Sequence, residues 1–284
     1  MKKGVLLFAY NSKQLDYGLL AVISAGLAKK HLKVPVSLVT DKSTIEWLSM
    51  SSVKEKAEEI FENIIITDRP ETNNTRILND GNSQETIPFI NSNRSSVWDL
   101  TPYDTTLMID SDFLIFSDRL SQYWDLPNDL MISTGMKDIA GHRVGFLDKH
   151  ISPTGVKMFW ATTVMFKKTD QSKLFFDTVK HIKNNYQHYA DLFRFDARQY
   201  RNDISFSVAK HILDGFREET ENNLPEILTT IDKDMLYTVS DQSKLIFLLN
   251  ESQNFSISSV ANIDIHVMNK QSILRNSERL LKLI

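Results

Sequence analysis

Three short apolar runs, at residues 4–10, 34–40 and 63–67, alternate with segments of helical pattern in the first third of the chain. Runs that are apolar at nearly every position are typical of strands buried on both faces of a sheet. After the first run, Asp16 is an expected N-cap, and apolar residues recur at helical spacing as far as Lys30. The alternation predicts an α/β fold with a parallel sheet and helices on both faces.

Later segments are assigned from the same patterns. Ser43 and Glu46 have the spacing of a capping box, which predicts one helix from there to about residue 61. Residues 71–93 are rich in Asn, Ser and Thr and are expected to form a polar loop. We expect further helices at 94–100, 173–188 and 204–216, and further strands at 105–109, 157–167, 245–249 and 263–267.

Composition limits what the whole chain can be. Its 284 residues suffice for one large domain or two closely fused ones, at about 100–200 residues per domain. The lack of cysteine excludes disulfides, thiolate metal sites and cysteine nucleophiles, and the net charge of −3 gives no general attraction to nucleic acid. No apolar run approaches the roughly 20 residues of a membrane span or fits a signal peptide. We therefore expect a cytoplasmic chain without a membrane span.

Two Asp-x-Asp pairs differ in their surroundings. The pair Asp232/Asp234 lies in a polar stretch and is expected to form a solvated turn, whereas Asp110/Asp112 lies between two apolar runs. Carboxylates beside a core are costly unless they are paired or bind a metal, and open α/β sheets bind ligands at the carboxyl ends of their strands. Asp110/Asp112 is therefore either a strand-end turn or a site for Mg²⁺ or Mn²⁺ that bridges to phosphates.

A histidine near the C-terminus is a second candidate ligand. Strand alternation over 263–268 places the aliphatic residues on one face and Asp264, His266 and Met268 on the other. Lys270 follows four residues after His266. A lone histidine is usually structural, but a neutral imidazole suits Mn²⁺ and an ammonium suits a diphosphate. Together with an upstream Asp-x-Asp, His266 becomes a candidate metal ligand.

Four places along the chain, taken in order, match one known family. They are Ala9-Tyr10-Asn11, Arg94 before Pro102-Tyr103-Asp104 and Asp110-x-Asp112, the strand at 159–166 followed by Arg201-Asn202-Asp203, and His266 with Lys270. In these places the chain resembles GT-A-fold glycosyltransferases, nearest to the glycogenin and lipopolysaccharide-galactosyltransferase group. The resemblance implies a Rossmann-like mixed sheet with helices on both faces in one compact unit. Residues 1–118 would bind a nucleotide-sugar donor, and 119–284 would bind the acceptor and complete the metal site.

The resemblance also implies a role for each matching residue. Asp110, Asp112 and His266 would bind Mn²⁺ or Mg²⁺, and Asp203 is the candidate catalytic carboxylate. Candidate contacts to the donor, for which UDP is favoured as carrier, are Ala9, Tyr10, Asn11, Asp41, Arg94, Asp110, Ser111 and Lys270. Candidate contacts to the sugar or acceptor are Trp160, Thr162, Thr163 and Asn202, and the charge pattern described below adds Arg198. Structural alternatives remain open for several of these: Tyr10 as the end of a strand, and Asp41 and Asp203 as helix N-caps.

The transferred sugar, the stereochemistry and the acceptor are left open. Ala161-Thr162-Thr163 stands where the family has Asn-Ala-Gly. Lys and Arg exceed Asp and Glu by six over residues 137–217, and Arg194, Arg198 and Arg201 recur at helical spacing. Such a helix face is either simply solvated or binds an acidic acceptor, which could be a phosphorylated glycan, a lipid head group or a modified DNA base.

Two other functional classes compete with the glycosyltransferase hypothesis. A haloacid-dehalogenase-like phosphatase also has an apolar strand that ends in Asp-x-Asp, but on its first strand and with a later acidic pair. Here Asp110/Asp112 follows the fourth expected strand, and the sequence contains no Asp-Asp dipeptide. The other alternative is a non-catalytic nucleotide-binding protein.

Overall fold

A computed structural model describes residues 1–70, 74–79, 83–91, 93–153, 155–216, 223–251 and 254–284. The strands are β1 Lys3–Phe8, β2 Val36–Thr40, β3 Phe61–Ile66, β4 Thr75–Asn79, β5 Gln84–Pro88, β6 Thr105–Ile109, β7 Phe113–Leu114, β8 Leu130–Ser133, β9 Met136–Asp138, β10 Trp160–Lys167, β11 Ile227–Thr229, β12 Met235–Val239, β13 Lys244–Glu251, β14 Asn254–Ala261 and β15 Ile265–His266. The α-helices are α1 Tyr17–Leu32, α2 Lys42–Met50, α3 Lys54–Ile60, α4 Val97–Leu100, α5 Phe146–Lys149, α6 Asp170–Asn184, α7 Tyr186–Phe193, α8 Asn202–Asp214, α9 Lys270–Arg275 and α10 Ser277–Leu281, with 3₁₀ helices at Arg94–Ser96 and Arg119–Tyr123.

The main sheet has the strand order β3-β2-β1-β6-β10-β8. The first four of these strands run parallel, and β10 runs antiparallel to both of its neighbours. Every residue of β2 and β6 is buried, which explains their nearly continuous apolar sequences. Helix α1 packs against β1 and β2, and α8 packs against β10. The predicted mixed α/β fold in one compact unit is confirmed.

A second sheet, with the order β7-β15-β11-β9, brings the C-terminal part of the chain to the end of β6. In its antiparallel β7–β15 pair, Phe113 lies opposite His266 and Leu114 lies opposite Ile265. The backbone N–H of Val267 extends this pairing by donating to the carbonyl of Asp112, with an N–O distance of 3.0 Å. A three-stranded sheet β12-β13-β14 and the β4–β5 hairpin complete the strands of the described residues.

Two local predictions are wrong in the second and third connections of the main sheet. Asp41, not Ser43, caps α2, because its carboxylate accepts from the backbone N–H of Thr44 at 2.8 Å. The helix ends at Met50, and α3 begins only at Lys54. The expected polar loop at 71–93 contains the β4–β5 hairpin, in which Leu78 and Ile87 are buried. Residues 71–73, 80–82 and 92 of that loop lie outside the described chain.

The expected helical face of Arg194, Arg198 and Arg201 is also wrong. Helix α7 ends at Phe193, and Arg194 has a left-handed backbone conformation with φ of 59°. An L-residue in that conformation cannot continue a right-handed helix. The three arginines therefore lie along a loop before α8, and no common helix face joins them.

Candidate functional site

A tight turn after β6 places Asp110, Ser111 and Asp112 at the carboxyl end of this strand. The backbone N–H of Asp110 donates to the carbonyl of Thr162 on β10 at 3.0 Å, and the N–H of Phe113 donates back to the carbonyl of Asp110 at 3.1 Å. These bonds satisfy backbone groups that the ladder leaves free at the end of the strand. Asp112 is 2% exposed, whereas the Asp110 side chain is 22% exposed.

Asp112 contacts two basic side chains from the C-terminal part of the chain. Because β15 pairs with β7, Nε2 of His266 lies 3.3 Å from Oδ2 of Asp112. Lys270, the first residue of α9, places its ammonium against the same carboxylate oxygen. The side chain of Asn269 caps this helix by accepting from the N–H of Ser272 at 3.1 Å. The fold thus assembles the site from the turn after β6 and the C-terminal segment, which lie far apart in the sequence.

Asp110 has a different cation. Nη1 of Arg94, at the start of the 3₁₀ helix before α4, lies 2.9 Å from Oδ1 of Asp110. Arg94 is 3% exposed, and its Nε and Nη2 have no hydrogen-bond partner among the described residues. A buried guanidinium with unused N–H groups costs free energy unless a ligand accepts from it. Arg94 can therefore orient Asp110 and still donate to a bound molecule.

The pKa values of the two aspartates of the motif are shifted in opposite directions. Burial raises the pKa of both, and for Asp112 the nearby Lys270 and His266 outweigh burial and bring its pKa well below the usual range. Burial keeps the pKa of Asp110 above its usual range, although Arg94 lowers it. Asp112 is therefore held firmly as the carboxylate, whereas ionised Asp110 gains from additional positive charge nearby.

The residues around Asp112 fit a divalent cation. One ligand atom each from Asp110, Asp112 and His266 lies within 4.8 Å of the others. Two carboxylates and one imidazole are a donor set that suits Mn²⁺ and is acceptable to Mg²⁺. Nδ1 of His266 is buried without a partner among the described residues, so a ring reorientation would not break an existing bond there.

These side chains line a cleft of about 530 Å³ at the edge of the main sheet. Asp203, in the first turn of α8, also faces it, with Oδ1 accepting from the N–H of Ala161 at 2.9 Å. Nη2 of Arg201 lies 3.5 Å from Oδ2 of Asp203. Arg201 holds the N-cap position of α8, so Asp203 is not the N-cap. The predicted residues that line this cleft are Arg94, Asp110, Ser111, Asp112, Trp160, Thr162, Asn202, Asp203, His266 and Lys270.

Four predicted donor contacts lie at the ends of β1 and β2 but are not among the described lining residues of the cleft. Ala9 and Tyr10 are buried, and the Tyr10 hydroxyl lies 3.1 Å from that of Thr67. Asn11 accepts from the N–H of Gly18 at 2.6 Å, at the start of α1. Asp41 caps α2 as described above and also contacts Arg69 at 2.8 Å. Each of these side chains has a structural role in its present arrangement.

Two predicted sugar or acceptor contacts also lie outside the described lining of the cleft. The Thr163 hydroxyl is buried and hydrogen-bonds to that of Ser133 between neighbouring strands. The side chain of Arg198 is 87% exposed and pairs with Asp196 at 2.6 Å. An exposed pair of this kind contributes little to stability, so Arg198 is available to a partner in solution.

The expected solvated turn at Asp232/Asp234 is wrong for Asp234, whose side chain is fully buried. Nη1 of Arg143 lies 2.8 Å from Asp234, and Nη2 lies 2.6 Å from the equally buried Asp138. The two buried carboxylates are tolerated here because the same guanidinium donates hydrogen bonds to both of them and supplies a positive charge between them. Arg143 lines the cleft and ties its wall at β9 to the β12–β13 strands, with Nη1 also donating to the carbonyl of Asn250 at 3.3 Å.

Sequence reasoning missed several other lining residues, above all Tyr17 and Arg76. Tyr17 follows the N-cap Asp16, so its position in the first turn of α1 was predictable from the sequence. Arg76 lies in the segment that was expected to be a loop, and its strand pairing carries no clear pattern in the sequence.

No helix among the described residues is long and apolar enough to cross a membrane.

Comparisons with known proteins find similarity in structure only. No family model matches the chain, and no curated protein sequence matches it. The glycosyltransferase GlyE of Streptococcus pneumoniae TIGR4 is similar over 79% of this chain and 45% of its own, with 14% identity and a TM-score of 0.43. The galactosyltransferase LgtC, in complex with donor and acceptor sugar analogues, is similar over 99% of this chain and 94% of its own, with 11% identity and a TM-score of 0.49.

A third similar structure contains a metal. The mannosyltransferase PcManGT from Pyrobaculum calidifontis, in complex with GDP-Man and Mn²⁺, is similar over 75% of this chain and 69% of its own, with 12% identity and a TM-score of 0.37. The similarity to these three glycosyltransferases is one of structure alone, and the chain spans less than half the length of GlyE. At such identities no residue role is transferred, and the chemistry of the cleft has to follow from its own side chains.

Proposed function

We propose that this protein is a metal-dependent glycosyltransferase that moves a sugar from a nucleoside-diphosphate sugar to a hydroxyl group of an acceptor. The observation that carries the proposal is the convergence of Asp110, Asp112 and His266 in one cleft, with Lys270 and Arg94 beside them. Oxygen and imidazole ligands beside unused guanidinium donors form a site for a metal-bound diphosphate.

In the proposed reaction, Asp110, Asp112 and His266 would hold Mn²⁺ or Mg²⁺, which when bound supplies Lewis-acid stabilisation of a diphosphate leaving group. Lys270 adds fixed positive charge at the same point. The bond between the anomeric carbon and the diphosphate oxygen breaks, and its electron pair stays with the diphosphate. The acceptor oxygen bonds to that carbon and loses its proton to a base.

We propose that Asp203 is the carboxylate that lies nearest to the transferred sugar. It lies in the same cleft as Asp110, and the N–H of Ala161 fixes its orientation. In an inverting reaction it would accept the acceptor's proton, and in a retaining one it would contact the sugar or act as nucleophile. Trp160, Thr162 and Asn202 line the cleft around it and would shape the pocket for the sugar or acceptor.

For the nucleoside, we propose the edge of the sheet where β1 and β2 end. These strands run parallel to β6, so Ala9, Tyr10, Asn11 and Asp41 lie at the same edge as Asp110. UDP is favoured by the family resemblance. We also propose that the chain divides into two parts by function, with residues 1–118 binding the donor and 119–284 binding the acceptor and completing the metal site. Strands from both parts share the main sheet. A cytoplasmic location stays a prediction.

The acceptor is proposed only as a hydroxyl compound, with an acidic glycan or a modified DNA base as the specific hypotheses to test. Arg198 is one exposed cation that a negatively charged acceptor could contact. Replacing Arg198 by Glu should weaken binding of an acidic acceptor while donor affinity is kept. Unchanged acceptor affinity in this variant would exclude a role for Arg198 in acceptor binding.

The proposed function is tested by incubating the protein with UDP-sugars and Mn²⁺ and measuring released UDP, with and without candidate acceptors. We expect release that is lost with EDTA and in the Asp112→Asn variant. Tight binding of UDP without release from any UDP-sugar would favour the non-catalytic nucleotide-binding protein. Release of inorganic phosphate from phosphomonoesters instead would favour a phosphatase.

A further inference from the structure

The β4–β5 hairpin carries one arginine on its inner face. In the antiparallel pairing, Arg76 lies directly opposite Ile87, which is fully buried. Directly opposite residues point to the same face, and so do residues two apart on one strand. Buried Leu78 therefore shares the inner face with Arg76, whereas Ile77 between them is 55% exposed. Packing of Leu78 and Ile87 thus holds the half-buried Arg76 over the cleft, which it lines.

Among the basic side chains that line the cleft, Arg76 differs from the others. Each of the others lies within 3.5 Å of a carboxylate: Arg94 of Asp110, Arg143 of Asp138 and Asp234, Arg201 of Asp203, and Lys270 of Asp112. Arg76 has no such partner in the part of the chain that the structure describes. Its single hydrogen bond there is long, from Nη1 to the Tyr17 hydroxyl at 3.4 Å. Most of its five N–H donors therefore have no acceptor among the described residues and can donate to a ligand.

Arg76 also lies within electrostatic range of the Asp-x-Asp motif. Its pKa is raised first by Tyr17 and then by the carboxylates of Asp112 and Asp110. The guanidinium lines the same cleft as both aspartates, and no ion pair joins it to either of these described residues. That cleft, with a volume of about 530 Å³, gives an anion room to contact both Arg76 and the residues that would hold the metal.

We infer that Arg76 is a catalytic residue that binds the diphosphate of the donor from the hairpin side of the cleft. The inference rests on the proposed function and adds a residue from a segment outside the motifs of the family resemblance. A guanidinium can donate two parallel hydrogen bonds to phosphate oxygens, which an ammonium such as that of Lys270 cannot do. Lys270 is also already paired with Asp112, so Arg76, which has no carboxylate partner among the described residues, supplies additional positive charge for the leaving group.

The test separates binding of the metal from binding of the diphosphate. Affinity for Mn²⁺ alone, measured by electron paramagnetic resonance, is compared with affinity for UDP and for pyrophosphate in the presence of Mn²⁺, measured by calorimetry. The variants are Arg76→Gln, Arg76→Lys and, as a control that removes one exposed positive charge outside the cleft, Lys42→Gln. GDP, ADP and TDP are measured in parallel in case UDP is not the carrier.

In Arg76→Gln we expect affinity for UDP and pyrophosphate to fall by roughly 10- to 100-fold, the range of one to two charge-assisted hydrogen bonds. Affinity for Mn²⁺ alone should be unchanged or slightly higher, because a nearby positive charge is removed. Arg76→Lys should fall between wild type and Arg76→Gln, and Lys42→Gln should behave as wild type. This difference between ligands would not arise from a general structural defect.

Equal diphosphate affinity in wild type and Arg76→Gln would overturn the inference and leave the proposed function standing. A parallel loss of Mn²⁺ affinity would also overturn it, since Arg76 would then act only by maintaining the site. If the wild-type protein binds no nucleoside diphosphate and no pyrophosphate with Mn²⁺, the proposed function and this inference both fail. Should Arg76→Gln not fold, the same comparison is made with Arg76→Lys.

Discussion

Nε2 of His266 lies 3.3 Å from Oδ2 of Asp112 across the antiparallel pair of β15 and β7. The two residues lie far apart in the sequence, and the backbone bond from Val267 to Asp112 fixes their register. The imidazole therefore reaches the motif through the sheet, and strand pairing positions it more firmly than a loop would. This relationship brings three potential metal ligands together at the Asp-x-Asp turn.

Replacement of Asp112 by Asn should abolish Mn²⁺-dependent nucleotide binding, because the carboxylate that contacts both His266 and Lys270 becomes neutral. Calorimetric titration of Mn²⁺ and UDP measures the effect. Asp125→Asn is the control, since Asp125 is 84% exposed and pairs only with Lys3 among the described residues. Full metal-dependent binding by Asp112→Asn would show that the motif is a structural turn.

Loss of the Arg143 side chain should destabilise the protein strongly. Arg143→Met leaves Asp138 and Asp234 buried without their cation, for which a loss of about 3–5 kcal/mol in the free energy of unfolding is expected. Urea denaturation measures it, with Arg198→Met as control because the Arg198–Asp196 pair is exposed. Similar denaturation midpoints for the two variants would show that the Arg143 pairs contribute no more than a surface contact.

The same cluster predicts how stability depends on pH. Burial raises the pKa of Asp138, but hydrogen bonds from Arg143 outweigh it, so the pKa in the folded protein lies below that of the unfolded chain. The stabilisation from Asp138 is therefore complete above about pH 4 and is lost as the pH falls through the lower, folded-state value. Between about pH 5 and pH 2, the free energy of unfolding should therefore fall less steeply with decreasing pH for Asp138→Asn than for wild type. Urea denaturation at a series of pH values measures it. Parallel curves would exclude this contribution.

Two substitutions of Asp41 separate its observed role as N-cap of α2 from its proposed contact with the nucleoside. Asp41→Ala removes the N-cap of α2 and should cost about 1 kcal/mol, whereas Asp41→Ser keeps a capping oxygen and should retain most of the stability. If Asp41 also contacts the nucleoside, both variants lose nucleotide affinity. A stable Asp41→Ser variant that binds UDP as wild type does would leave Asp41 with the capping role alone.

Local patterns were sufficient for the main sheet and for the centre of the site. β1, β2 and β6 are buried on both faces, so their largely apolar sequences indicate directly that they are central strands. The pair Asp110/Asp112 is conspicuous because it interrupts apolar surroundings. His266 could be predicted because alternation over a short strand separates it from its aliphatic neighbours. These features depend on neighbours in the sequence.

The missed features depend on contacts between distant segments. Asp234 was expected in solvent because its partner Arg143 lies far along the chain and no local pattern links them. Arg76 belongs to a hairpin whose polar sequence resembles a loop, and only Leu78 and Ile87 reveal its inner face. The helix expected through Arg194 ends there without a glycine, so the usual C-terminal signal is lacking.

The central claim is tested most directly by a thermal-shift matrix of UDP, GDP, CMP, ADP and TDP, each with Mn²⁺, Mg²⁺ or EDTA. A ligand that binds only the folded state at a hundredfold excess over Kd stabilises it by about 2.7 kcal/mol. We predict that one nucleoside diphosphate raises the Tm with Mn²⁺, does not do so with EDTA, and has no effect on Asp112→Asn. No shift with any nucleotide under any metal condition would contradict a metal-bridged donor site at Asp110, Asp112 and His266.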